Sequence, residues 1–327
     1  MAARTQVPLV PLTGCLLAAA LTAGCSGGSS AEAAKPRGAP ALTKAQAQQV
    51  LASYAATANR AGRGLDGRAL RAIEADPQLS MDTAALKLGR AVRQRPPNLA
   101  FAATTFYVPR LTGYPRWFAA DTATGKGDRT LRHALLFTQA GEGAPWLLTA
   151  DPYPSEQALN KVALDRDGFA TPVDPHAKDL AVPPGKLAQA HAALLTDGPR
   201  AGGASVLADG AKTSETYKAL KQGERTLAGR GVTLSSRFSP APYKVYALRT
   251  KDRGALVWYV LKQNEAYSAT KRGRLAVSGD LVGLAPASAA RTRLDTTVLV
   301  QYLATVPPKG RATVNGMYRK AIAAHGS

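Results

Sequence analysis

The four histidines, His133, His176, His191 and His325, are the first candidates for acid–base or metal chemistry in this chain. Imidazole changes charge near neutral pH and is a common metal ligand. His133 falls in a strand-like run, His191 in a helix-like run and His325 in the tail, so no two have metal-ligand spacing on one element. We therefore predict no metal site and no cofactor.

The segment from Asp165 to Gly168 has a faint likeness to a calcium-binding loop. An EF-hand needs a further oxygen ligand, a glycine at the sixth position and a glutamate at the twelfth. Phe169, Ala170 and His176 occupy those three positions. The segment is therefore predicted to be the turn of a hairpin.

A Ser-x-x-Lys motif at Ser268–Lys271 matches the nucleophile motif of penicillin-binding enzymes. Its lysine must lie one helical turn after the serine, whereas this copy falls in a predicted strand and loop. The companion motifs and a phosphate-binding loop are absent from the sequence, and no Gly-x-Ser-x-Gly elbow or dinucleotide fingerprint follows a predicted strand, where its chemistry requires it. A Ser-His-Asp triad dispersed along the chain stays open, because such triads are recognised by geometry.

The N-terminal residues follow the order of an export signal. Arg4 precedes an uncharged stretch rich in Leu, Val and Ala, which ends in the small residues of Leu21–Cys25. This ending resembles the lipobox of bacterial lipoproteins. The resemblance implies removal of residues 1–24 and attachment of a diacylglyceryl group, with fatty acyl chains such as palmitate, to the Cys25 thiol. A similar box ends at Cys15, but cleavage there would leave a short apolar core.

The whole chain resembles uncharacterised lipoproteins of high-GC Gram-positive, actinobacterial species. The resemblance is carried by the box at Thr22–Cys25, by the bias toward Ala, Arg and Gly, and by the stretch Tyr114–Phe118. It implies a protein anchored by lipid to the cell membrane, on the extracytoplasmic face, and it brings no catalytic residues. The alternative is a plain secretory signal that happens to contain Cys25.

The mature chain divides into a flexible tether and two α+β domains. Residues 25–41 are rich in Ser, Gly, Ala and Pro and are predicted to be the tether. Residues 42–180 and 181–327 each read as helices followed by a strand series, which predicts helices packed on one face of an antiparallel sheet. The order fits a tandem of cystatin-like or nuclear-transport-factor-like domains.

Hydrophobic periodicity and turn residues predict the individual elements. A capping box at Thr43 and Gln46 begins the first helix, and Gly62 and Gly64 end it. The other predicted helices lie near residues 70–73, 81–92, 184–195, 206–207 and 213–227. The predicted strands are 101–108, 116–120, 131–138, 146–150, 232–238, 243–249, 255–262, 275–284, 294–304 and 312–322.

The formal charge of +20 is concentrated in the second half of the chain. Residues 25–183 have 19 Lys and Arg against 14 Asp and Glu, whereas residues 184–327 have 22 against 8. Candidate contacts with anionic lipid or wall polymer are Arg249, Lys251, Arg253, Lys271, Arg272, Arg274, Arg291 and Arg293. The alternative is that these are solvated loop tips. Nucleic acid is excluded as a partner by the exported location.

Seven aromatic residues fill either a cone-shaped pocket or the cores between sheet and helices. They are Tyr107, Tyr114, Trp117, Phe118, Trp146, Trp258 and Tyr259. With no catalytic motif found, the leading interpretation is a non-catalytic envelope lipoprotein that binds or scaffolds something outside the membrane. The alternatives are an envelope hydrolase with a dispersed site and a basic domain that docks on an anionic surface. Protein partners, if any, are not indicated.

Overall fold

A computed structural model of the chain describes residues 38–155, 158–271, 275–286, 288 and 291–327. Its α-helices are α1 Lys44–Gly64, α2 Gln78–Ala91, α3 Pro184–Asp197 and α4 Ser214–Ala228. Its strands are β1 Ala39–Pro40, β2 Ala102–Tyr107, β3 Arg110–Leu111, β4 Arg116–Thr124, β5 Leu131–Gln139, β6 Leu147–Ala150, β7 Tyr153–Pro154, β8 Val232–Pro240, β9 Tyr246–Arg249, β10 Ala255–Ala269, β11 Arg293–Val306 and β12 Thr313–Gly326. None of the helices in these residues is long and apolar enough to cross a bilayer.

Helix α1 begins at the capping box that the sequence predicts. The Thr43 hydroxyl accepts a hydrogen bond from the Gln46 backbone N–H at 3.2 Å, and the Gln46 amide oxygen accepts one from the Thr43 N–H at 2.8 Å. These bonds satisfy two donors that a helix start otherwise leaves unpaired. The helix ends at Gly64, where Leu65 adopts a left-handed conformation with φ of 51°. Both predicted ends of the helix are confirmed.

The named strands pair antiparallel throughout. A four-stranded sheet has the order β2-β4-β5-β6, and a larger sheet has the order β7-β12-β11-β10-β8, with β9 also paired to β10. Strand β1 pairs with β3, so residues 39 and 40, which the sequence assigns to the tether, belong to the fold. Helices and antiparallel sheets confirm the α+β class.

Each sheet buries one face under helices. Leu51 and Tyr54 of α1 pack with Phe118 and Phe137 of the four-stranded sheet, where these residues are 6% exposed or less. In the larger sheet, residues from α3 pack on alternate residues of β10, as the two-residue period of a strand requires. Helix α1 is therefore packed against the four-stranded sheet. This packing positions the site described below.

A third buried cluster joins the two sheets. It includes Trp117 and Leu136 from one sheet and Trp258 and Leu303 from the other. The Trp258 indole N–H donates a buried hydrogen bond of 3.0 Å to the Ala134 carbonyl. The boundary between two domains near residue 180 stays a prediction, and the cluster shows that residues on both sides of it share one core.

The strand predicted at residues 275–284 is wrong. The described part of this segment contains a short 3₁₀ helix at Gly279–Leu281 and no strand. Gly279 and Gly283 have φ of 56° and 83°, which places them in the left-handed region and outside extended backbone. The Leu, Val and Ala residues of this segment have the composition of a strand, but the two glycines adopt a backbone conformation that a strand does not allow. His325, predicted to lie in the tail, is instead part of β12.

Candidate ligand-binding pocket

A cavity of about 280 Å³ lies between helices α1 and α2, the end of the four-stranded sheet and strand β12. We call it the acidic pocket. Its polar and aromatic walls are formed by Tyr54, Asn59, Glu74, Gln78, Asp82, Asn98, Phe101, Thr124, His133, Asp151, Tyr153 and Tyr318. Among these, the sequence singled out only His133, so the structure places one predicted candidate in the pocket and adds the rest.

Glu74 is held at the inner end of the pocket by the sheet. The backbone on either side of it bonds to β6: the Ala75 N–H donates to the Leu148 carbonyl at 2.9 Å, and the Leu148 N–H donates to the Ile73 carbonyl at 2.8 Å. The residue is 2% exposed. The Tyr54 hydroxyl donates to Oε1 at 3.3 Å, whereas Oε2 has no donor among the described residues.

Burial and, after it, the nearby charge of Asp82 raise the pKa of Glu74 to about 10. Glu74 therefore keeps its proton at neutral pH. That proton is available for a hydrogen bond with Asp82, which also lines the cavity. A carboxylic acid held neutral at this site can donate as well as accept a hydrogen bond.

Asp82 lies one turn after Gln78 on α2. The Gln78 amide donates to Asp82 at 2.9 Å, and the Tyr318 hydroxyl of β12 donates to it at 3.4 Å. The Gln301 amide of β11 donates to Gln78 Oε1 at 2.9 Å and so fixes which side of the Gln78 amide faces Asp82. Burial raises the pKa of Asp82 to about 6, so its carboxylate is ionised at neutral pH.

His133 of β5 lies between a carboxylate and a hydroxyl. Its Nδ1 is 2.8 Å from Asp151 Oδ2, and its Nε2 is 2.8 Å from the Thr124 hydroxyl of β4. Gln301 also fixes Asp151, because the Asp151 backbone N–H donates to Gln301 Oε1 at 2.6 Å. Asp151 Oδ1 is buried and has no donor within the described ranges.

His133 and Asp151 form a hydrogen-bonded pair in which each group shifts the pKa of the other. Burial lowers the pKa of His133, but the charge of Asp151 and their hydrogen bond outweigh burial and raise it. Burial also raises the pKa of Asp151, and His133 offsets part of that effect. The two groups therefore titrate as a coupled pair.

Aromatic rings cover the walls between the carboxyl groups. His133 meets Phe101 and Tyr153 edge-on, with ring centroids 5.5 and 5.2 Å apart. Tyr153 packs on Tyr318 at 4.9 Å. Strand β7 brings Tyr153 close to β12 because it pairs opposite Gly316, where a Cβ would lie 2.7 Å from the Pro154 nitrogen.

The described lining of the pocket contains no lysine or arginine. With Glu74 protonated, the ionised Asp82 supplies a negative charge to the pocket at neutral pH. This sign is opposite to that of the chain, whose formal charge is +20. Within the described ranges, no group of three or more His, Cys, Asp or Glu is arranged to hold a metal ion.

The remaining histidine candidate, His191, belongs to a core. Its Nδ1 accepts from the Tyr259 hydroxyl at 2.8 Å, and its Nε2–H donates to the Lys212 carbonyl at 2.9 Å. Burial lowers the pKa of His191 to about 4, so the ring is neutral. Both nitrogens are satisfied within the fold, and the role is structural.

The two short motifs have the structural roles that the sequence favours. Asp165–Gly168 is a turn in which Arg110 of β3 pairs with Asp165 at 2.9 Å and with Asp167. The hydrogen bond from Arg110 lowers the pKa of Asp165. Ser268 lies on extended β10 opposite Arg293, so the Ser-x-x-Lys segment has no helical turn.

The basic clusters do not form one surface. Arg249, Lys251 and Arg253 lie where β9 turns into β10, before Ala255. Lys271, Arg291 and Arg293 lie at the other end of β10, where Arg293 begins β11 opposite Ser268. The 15 residues of strand β10 separate the two groups by roughly 45 Å. Arg249 is paired with Asp179 at 2.9 Å and Arg293 with Asp295 at 2.7 Å. Arg272, Arg274 and Cys25 lie outside the described residues.

Most of the predicted aromatic residues fill cores. Tyr107, Trp117, Phe118, Trp258 and Tyr259 are 6% exposed or less, whereas Tyr114 is 42% exposed. The core interpretation is therefore confirmed for those five. The rings of the acidic pocket come from other positions along the chain.

The fold and the pocket define an α+β protein with an acidic, aromatic-walled cavity. The chain belongs to the family described as Domain of unknown function (DUF8094), which matches residues 38–326. No solved structure matches it significantly.

Its curated relatives are actinobacterial lipoproteins. Two uncharacterised lipoproteins of Streptomyces coelicolor are 30% and 29% identical over 241 and 335 residues, spanning 71% and 94% of this chain and 70% and 91% of their own length. One of Streptomyces avermitilis is 28% identical over 243 residues, 73% of this chain and 71% of its own. The resemblance that the sequence indicates is confirmed, and these relatives support a lipid-anchored protein of the cell envelope.

Proposed function

We propose that this protein is a binding lipoprotein, held at the outer face of the cytoplasmic membrane, which takes a small polar molecule into the acidic pocket. The single observation that carries the proposal is the buried Asp151 Oδ1, an acceptor without a donor in the described structure, on the wall of a cavity. Leaving a buried polar group unpaired costs about 1–3 kcal/mol. A ligand that donates a hydrogen bond there recovers this free energy.

The construction of the pocket supports binding. Gln301 orients both Gln78 and the Asp151 backbone, so one side chain of β11 positions carboxylates from two other elements. Polar groups fixed in this way keep their geometry before a ligand arrives, which lowers the entropic cost of binding. A cavity with apolar walls and a few converging polar groups is the usual form of a small-molecule site.

The predicted anchor fits this activity. Thirteen chain steps separate Cys25 from Gly38, the first described residue, and an extended chain of that length spans at most about 45 Å. A pocket tethered in this way stays close to the membrane surface. Binding would therefore take place where exported or incoming solutes pass.

Two variants of α1, each with phenylalanine in place of an alanine, test the proposal. Ala58 lines the pocket, whereas Ala56 is exposed on the same helix. Three isosteric probes are used: benzylammonium, benzyl alcohol and benzoate. We expect saturation-transfer NMR to detect at least one of them bound to the wild type and to Ala56→Phe, and none bound to Ala58→Phe, because the new ring fills the cavity. Absence of all three from the wild type, or equal binding to both variants, would contradict the proposal.

A second candidate function is hydrolysis, favoured by the order Thr124–His133–Asp151. The two hydrogen bonds of 2.8 Å give a hydroxyl, an imidazole and a carboxylate in the sequence of a catalytic triad, with threonine in the nucleophile position. Hydrolysis of p-nitrophenyl acetate that falls at least 10-fold in Thr124→Val would support the hydrolase, whereas equal rates would support binding.

A further inference from the structure

We propose that the molecule taken by the acidic pocket is an organic amine in its protonated, ammonium form. This inference rests on the proposed function and specifies its ligand class. Three features of the pocket support an ammonium ligand: the acceptors of its lining residues, the aromatic rings around them, and the charge of the lining.

The acceptors match the donors of an ammonium group. A primary ammonium carries three N–H donors and no acceptor. Asp82, Glu74 and Asp151 come from three different elements and line one cavity. Glu74 Oε2 and Asp151 Oδ1 are buried and have no donor in the described chain. The charges of Asp82 and Asp151 both raise the pKa of Glu74, and the charge of Asp151 raises that of Asp82, as expected for carboxyl groups that lie close together. One cation placed among them would be stabilised by all three.

The aromatic walls suit the rest of such a ligand. The rings of Tyr54, Phe101, Tyr153 and Tyr318 line the cavity. The face of an aromatic ring attracts a cation, and the interaction strengthens when the cation is shielded from water. The same rings cover an apolar substituent. A volume of about 280 Å³ accommodates a molecule larger than benzene, which fits a cavity of about 150 Å³.

The charge of the lining selects against other ligand classes. An anion would meet Asp82 with no lysine or arginine to pair with, as far as the described lining extends. A neutral alcohol would leave the charge of Asp82 uncompensated in a buried site. The carboxyl groups also lack the arrangement of a metal-binding cluster within the described ranges. An organic cation is the class that satisfies both the charge and the geometry.

The titratable groups that face the cavity determine how binding depends on pH. They are Tyr54, Glu74, Asp82, His133, Asp151, Tyr153 and Tyr318. The tyrosines stay neutral, since burial raises the pKa of each. The pKa of Asp82 is about 6, so lowering the pH from 7.5 to 5 protonates it and removes the charge that attracts the ammonium. Binding should therefore weaken about 10-fold over that interval.

Calorimetry with the purified lipoprotein in a neutral detergent tests the ligand class. Benzylammonium chloride should bind at pH 7.5 at least about 10-fold more tightly than benzyl alcohol, its neutral isostere. Asp82→Asn should weaken benzylammonium about 10-fold, because it removes the ionised carboxylate. Asp128→Asn, at an exposed position on a different loop, should leave the affinity unchanged.

The outcomes separate this inference from the proposed function. If benzyl alcohol binds as tightly as benzylammonium, or if benzoate binds best, the ammonium inference is overturned while a binding pocket remains. If none of the probes binds, both are overturned. Should Asp82→Asn unfold, which its melting curve would reveal, the pH series on the wild type decides: affinity for benzylammonium that does not change between pH 5 and 7.5 overturns the inference.

Discussion

Glu74→Gln is expected to raise the melting temperature of the empty protein at pH 8 by about 4–8 °C. Glutamine preserves the shape of the side chain and removes the need to bind a proton. The unfolded glutamate titrates near its ordinary value of 4.5, whereas the folded one has a pKa of about 10. Each pKa unit of that interval corresponds to about 1.4 kcal/mol of unfolding free energy. We assign about 2–4 kcal/mol, which is less than the full interval up to pH 8 would give, to the destabilisation that Glu74→Gln removes. A chain of this size shifts by about 2 °C per kcal/mol.

The sign of the pH dependence follows from the raised pKa of Glu74. Between pH 4.5 and 10 the folded state holds a proton that the unfolded state has released, so this group makes the fold less stable as the pH rises. The advantage of Glu74→Gln should grow from pH 5 to pH 9 and vanish below about 4.5. Glu142→Gln, at an exposed loop position, is the matched control and should show neither effect. A constant difference between Glu74→Gln and the wild type at every pH would contradict the assignment of a proton to Glu74.

Cys25→Ala is expected to move the protein almost completely from the membrane fraction to the soluble fraction. The two acyl chains of a diacylglyceryl group contribute about 0.8 kcal/mol per buried methylene, and two chains are what stable attachment requires. Globomycin, which blocks the lipoprotein signal peptidase, should cause the unprocessed precursor to accumulate. Fractionation followed by mass spectrometry of the N-terminal peptide measures both effects.

Cys15→Ala is the matched control for the anchor. Cys15 ends a second box-like segment, so the variant removes the competing cysteine and leaves the predicted one in place. It should remain in the membrane fraction with a lipidated Cys25. Release by Cys15→Ala, or retention of an unlipidated Cys25→Ala protein, would refute the assignment of the anchor to Cys25.

The local elements of the fold could be predicted because their signals are local. Thr43 and Gln46 define a helix start through two hydrogen bonds that span three residues. The strands from Arg116 and from Leu131 have apolar and β-branched runs bounded by turns, and both were located. The long strand β10 was cut short at residue 262, because Gln263 and Glu265 interrupt its apolar run.

Those two polar residues are buried in a hydrogen-bonded network that the sequence does not reveal. The Gln263 amide donates to Ser236 at 2.9 Å and to Glu265 at 2.8 Å. Arg319 of β12 pairs with Glu265 at 3.0 Å. Polar residues can continue a buried strand when neighbouring strands supply their partners, and the partners come from distant parts of the chain.

The acidic pocket could be predicted only in part. Glu74, Gln78 and Asp82 are spaced four residues apart, which would place polar groups on one side of a helix, although only Asp82 falls within a predicted helix. This regular spacing of polar residues is visible in the sequence, but the predicted site residues do not include it. The approach of His133 to Asp151, by contrast, depends on strand pairing across the sheet and on Gln301 from the other half of the chain. No local pattern contains that information.

The measurement that tests the account most directly is a carboxyl ¹³C NMR titration of Glu74, with and without saturating benzylammonium. The account predicts a pKa near 10 in the empty pocket and a value several units lower when the ammonium is bound, because the cation favours the ionised carboxylate. A pKa near 4.5 in the empty protein, or a raised pKa that the amine does not change, would contradict it.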